Sequence, residues 1–68
     1  MNQEQVEQWL KDEINLKLFK PNMRPNSIQS KEVFEVANYF EPGKHKPTSC
    51  GRCYGNAIRA IKRHTQIF

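Results

Sequence analysis

The chain has 68 residues, net charge +4, 37% apolar and 26% charged residues, and a mean hydropathy of −0.85. This length holds one domain, whose core contributes roughly 3–5 kcal/mol, and it leaves little room for a self-sufficient enzyme. The composition excludes wholesale disorder, and no apolar run reaches membrane-spanning length.

The first element is predicted over residues 3–17. Asn2 and Gln5 form a capping pair, Glu4 and Glu7 suit the positive end of the helix dipole, and Val6, Trp9, Leu10 and Ile14 fall on one stripe at the 3.6-residue period. The stripe decays at Leu16-Lys17-Leu18-Phe19, and Pro21 and Pro25 mark a turn around Lys20–Arg24. The amino-terminal residues carry neither a basic n-region nor an apolar h-region, so the expected location is cytoplasmic.

A second helix is predicted over residues 27–41, started by Asn26 with Gln29 or by Ser30, and ended by Pro42-Gly43. Val33, Val36, Ala37 and Phe40 make its main stripe, and Ile28 and Tyr39 a weaker second one. Glu32 and Glu35 sit on this helix like many solvent-facing pairs, with no His near in sequence, so no acid–base pair for catalysis is evident. A short basic loop, Lys44-His45-Lys46-Pro47, follows.

The third helix is predicted over residues 49–65, capped by Thr48 or Ser49. Cys50, Cys53, Tyr54, Ala57, Ile61 and His64 share one arc, and Arg52, Arg59, Lys62 and Arg63 lie on the other side. Gly51 and Gly55 each cost roughly 1 kcal/mol relative to Ala, which implies close approach by another backbone or a ligand. The expected architecture is therefore all-α, a small three-helix domain with an amphipathic basic C-terminal helix.

Charge is unevenly divided. Residues 1–41 hold all seven acids and five bases, whereas residues 42–68 hold six bases and no acid. Such asymmetry points to an acidic partner for the basic end, either nucleic acid or an acidic protein surface. The candidate contact residues are Lys44, Lys46, Arg52, Arg59, Lys62 and Arg63. Arginines at helical spacing can fork onto phosphates, and three short helices with a basic last one is the plan of helix-turn-helix readers. The turn from Glu41 to Pro47 is longer than theirs and carries two prolines. A solvated basic face with no partner is the plainer alternative, and a protein–protein adaptor using Ile28, Tyr39 and the exposed aromatics is the functional one.

The cysteine pair admits three readings. Cys50-Gly51-Arg52-Cys53 resembles the Cys-Gly-Pro-Cys of thioredoxins, which implies a redox dithiol, although Arg52 replaces the proline and no βαβ pattern surrounds it. A zinc site would draw on Cys50, Cys53 and His45, completed by another chain. His64 lies eleven residues, about 16 Å, beyond Cys53 on a continuous helix and cannot join. Position on the apolar stripe favours the third reading, two thiols packed as small hydrophobes with no cofactor.

The stretch from Thr48 to His64, with Cys50 and Cys53 opening a basic terminal helix, resembles those of short uncharacterised open reading frames of tailed phages. That resemblance implies an accessory factor or virion component, acting in the host-cell cytoplasm, and assigns no role to any single residue.

Overall fold

The computed structural model describes residues 1–20, 23–48 and 50–65. Pro21 and Ser49, named above as a turn residue and a cap candidate, lie outside the described residues. The elements are α1 (Gln3–Lys11), α2 (Glu13–Leu16), a 3₁₀ turn (Lys17–Phe19), α3 (Ser27–Phe40) and α4 (Gly51–Thr65). The all-α expectation holds, with no strand among the described residues.

The long first helix does not form as one piece. α1 opens with a full capping box, in which Asn2 Oδ1 accepts from Gln5 N–H at 2.8 Å and Gln5 Oε1 accepts from Asn2 N–H at 3.0 Å. It stops at Asp12, whose backbone is extended (φ −77°, ψ 120°) and whose Oδ1 accepts from Ile14 N–H at 2.9 Å. Asp12 thus ends α1 and caps α2. The Trp9 carbonyl receives Asp12 N–H at 3.3 Å and Asn15 Nδ2–H at 3.0 Å, which satisfies an acceptor exposed by the break. The redirected chain turns Ile14 out to solvent, at 62% exposure, and buries Leu18 and Phe19 instead. These two residues, where the stripe decays in sequence, are therefore core.

α3 starts where Asn26 and Gln29 cap one another, at 2.8 and 2.9 Å, rather than at Ser30. Its end is set by the Glu41-Pro42-Gly43-Lys44 turn. Lys44 N–H returns to Glu41 C=O at 3.2 Å, proline supplies the fixed φ at the second position, and Gly43 takes φ +79° at the third, where a side chain is disfavoured.

α3 packs most extensively on α4, with α1 laid against α3. The core joins Val6 and Trp9 to Leu18, Phe19, Val33, Phe34, Val36, Ala37, Ala57 and Ile61, with Leu10, Phe40, Cys53, Tyr54 and Ile58 packed at its margin. Two edge-to-face aromatic pairs order it, Trp9 on Phe19 (centroids 6.1 Å apart) and Phe34 on Tyr54 (6.3 Å). Phe34, absent from the sequence-derived stripe, is the largest fully buried side chain. The radius of gyration, 10.7 Å, matches the value of about 11 Å expected for a close-packed chain of this length.

Candidate nucleic-acid interface

α4 turns Ala57, Ala60 and Ile61 fully inward. At the helical period the opposite side is then Arg52, Asn56, Arg59 and Arg63, and all four are exposed. Their spacing of four, three and four residues makes one straight row, about 16 Å long from Arg52 to Arg63. Arg59 Nη1 donates to Asn56 Oδ1 at 3.1 Å, which holds the guanidinium along that row. Lys62 is half-buried beside it rather than fully on the outer face.

The basic loop is fixed to α3 by a side chain of that helix. Asn38 uses both ends of its amide, with Oδ1 accepting from His45 N–H at 2.9 Å and Nδ2–H donating to the His45 carbonyl. This clamp leaves Lys44 and Lys46 exposed on either side of a half-buried His45. Between loop and helix runs a groove of about 390 Å³, bordered by Lys44, Lys46, Thr48, Cys53 and Asn56. The acids gather elsewhere, with Glu4, Asp12, Glu32 and Glu35 bordering a second groove beside Trp9, formed by α1, its carboxyl-terminal break and α3. Four of the seven acids are thus divided from the basic end, on a groove that no Lys or Arg borders.

One acid crosses that division. Glu41, 15% exposed, holds His45 Nε2 on Oε1 at 2.9 Å, and Arg63 Nη2 and His64 Nε2 on Oε2 at 2.5 and 3.0 Å. The hydrogen bond from Arg63, then those from His45 and His64, lower its pKa to about 2. His64 also stacks flat on Phe40, centroids 5.4 Å apart and planes 4° from parallel. It is a rim residue rather than part of the apolar face. Arg63 remains 64% exposed while pairing with Glu41, so it differs from Lys44, Lys46, Arg52 and Arg59, for which no carboxylate contact occurs among the described residues. Nothing in the sequence marks Glu41 as the link, because its α4 partners stand 22 and 23 residues away.

The cysteines correct the sequence reading. Cys53 is half-buried against the core, but Cys50 is exposed. Cys50 sits just ahead of α4, where its carbonyl accepts from Tyr54 N–H at 3.1 Å and its Sγ accepts from Cys53 N–H at 3.4 Å. Its own N–H donates to Thr48 Oγ1 at 3.3 Å. Cys50, not Thr48, therefore occupies the capping position among the described residues. Of the residues a zinc site would draw on, His45 turns its Nε2 to Glu41, and no group of three His, Cys, Asp or Glu side chains able to hold a metal ion occurs among the described residues. No close approach to Gly51 or Gly55 is made by the chain itself among the described residues, as a Cβ at either would meet nothing within 4 Å.

No helix among the described residues is long and apolar enough to cross a membrane. Comparison of the chain with protein-family models, with curated proteins and with solved structures finds no match.

Proposed function

We propose that this chain is a non-enzymatic accessory module whose basic loop and α4 dock on the phosphate backbone of a nucleic acid. The observation that carries this reading is the exposed row Arg52–Asn56–Arg59–Arg63, with Lys44 and Lys46 across a groove from it, and with four of the seven acids on another groove. Cations carried in a row on a helix have their backbone register set before binding, and each phosphate they neutralise releases counterions. The Asn38 clamp adds a pre-ordered loop, which lowers the ordering cost of binding. Such contacts position a protein on a nucleic acid without reading bases, in keeping with an accessory role of the kind the tailed-phage resemblance implies.

The test is fluorescence anisotropy of labelled duplex and single-stranded oligonucleotides across a salt series. Four to six phosphate contacts give a slope of log K against log salt of roughly −3.6 to −5.4 on duplex DNA. Arg52→Glu with Arg59→Glu should abolish binding while moving stability by no more than about 0.5 kcal/mol. Arg63 is the wrong site for this control, because a carboxylate there would face Glu41 and unsettle the fold. Binding that ignores salt, or that survives the double reversal in a folded protein, refutes the proposal.

A second reading is a protein adaptor. It is favoured by Ile28, 70% exposed on α3, with Tyr39 and Ile14 also outside the core. Absence of nucleic-acid affinity at low salt, together with a partner interaction lost in Ile28→Asp, selects it.

A further inference from the structure

We propose that Cys50 and Cys53 form a reversible dithiol–disulfide site, with Cys50 as the attacking sulfur and Cys53 as the resolving one. The two thiols stand at the capping position and the third residue of α4, on the same side of its first turn. Helix geometry puts Cα atoms three residues apart at about 5 Å, inside the roughly 4.4–6.8 Å that a disulfide spans. Cys50 Sγ already lies 3.4 Å from Cys53 N–H. No large rearrangement separates the thiols from the bond.

Their surroundings assign the two roles. Cys50 is exposed and Cys53 half-buried against the core, so a dissolved reagent meets Cys50 first. The Cys53 thiol, and then the Cys53 backbone N–H, hold the Cys50 thiol below its ordinary range; the same contact, with desolvation, pushes Cys53 up. No acid is present between residues 42 and 68 to oppose a thiolate locally, and Arg52 lies between the pair. A groove bordered by Pro47, Thr48, Tyr54, Phe34 and Lys31 opens beside Cys50 and gives a reagent access. This site does not depend on the nucleic-acid reading.

The co-reactant is a low-molecular-weight disulfide. The Cys50 thiolate attacks one of its sulfurs, the reagent's S–S bond breaks, and one reagent thiolate leaves and takes a proton. The Cys53 thiol then loses its proton and attacks the Cys50 sulfur, expelling the second reagent thiolate. The protein loses two protons and two electrons, and the reagent disulfide takes them up to become two thiols.

The experiment equilibrates the full chain with oxidised and reduced glutathione, traps free thiols by acid and alkylation, and maps them by mass spectrometry. The expected product is a monomer with a Cys50–Cys53 bond, returned to the dithiol by reduced glutathione. Cys53→Ser should stop at glutathione attached to Cys50, and Cys50→Ser should accumulate no adduct. Iodoacetamide on the unmutated chain at neutral pH needs no variant, and should label Cys50 at least about tenfold faster than Cys53. Thiols left free at every glutathione ratio, disulfide-linked dimers in place of the internal bond, or equal labelling rates overturn the proposal.

Discussion

Trp9 offers the sharpest test of how the fold is held. It is 5% exposed and meets Phe19 edge to face. An aromatic of this kind buries about 150–250 Å², equivalent to about 4–6 kcal/mol at about 25 cal/mol per Å². Truncation to Ala leaves the Cβ contact and some relaxation, so Trp9→Ala should cost about 3–5 kcal/mol, comparable to the roughly 3–5 kcal/mol expected for the whole domain. The variant should be largely unfolded at room temperature. Trp9→Phe separates packing from polarity. The indole Nε1–H is buried without a hydrogen-bond partner among the described residues, and an orphan donor costs about 1–3 kcal/mol. Phenylalanine removes the orphan while keeping most of the ring, so its net cost should stay below about 1.5 kcal/mol. Urea unfolding followed by circular dichroism, with the slope m compared across variants, measures both. If Trp9→Phe loses as much as Trp9→Ala, the N–H has a partner and the burial account fails. If Trp9→Ala melts cooperatively near the unmutated chain, Trp9 does not anchor the core.

Further expectations concern the caps, the hub and the glycines. Asp12→Ala removes the side chain that starts α2, at a cost of about 1 kcal/mol, with Leu18 and Phe19 staying in the core; a gain in stability by urea melt contradicts this. Glu41 titrates near 2 in the fold against 4.5 for the free group, so the unfolded state takes up its proton first. The stability it confers is complete above about pH 4.5 and drains away as pH falls toward 2. Glu41→Gln should flatten stability against pH in that window, and an unchanged acid limb rules the hub out as its source. Gly55→Ala, with nothing within 4 Å of the added Cβ, should stabilise α4 by about 0.5–1 kcal/mol, and a loss measured by thermal melt denies the open space.

The sequence by itself determined the elements whose causes are local. Asn2 with Gln5 and Asn26 with Gln29 close capping boxes over three residues, and Pro42-Gly43 stops α3 through the φ values the two residues take. The inward faces of α3 and α4 were likewise visible as period, through Val33, Val36, Ala37, Ala57 and Ile61, and the row of Arg52, Arg59 and Arg63 as its complement. Asp12 carried a local signal too, since an aspartate can cap as well as ride a helix. Which role it takes depends on whether Leu18 and Phe19 find a core to enter, and only the tertiary packing that joins them to Val6 and Trp9 answers that. Period also placed Cys50 on the apolar arc, but Cys50 stands ahead of the first residue of α4, so the arc carries a half-buried Cys53 and an exposed Cys50. Glu41 belongs wholly to the tertiary structure. A carboxylate at the end of α3 meets Arg63 and His64 only because α4 packs along α3 and brings residues 22 and 23 positions away within hydrogen-bond reach.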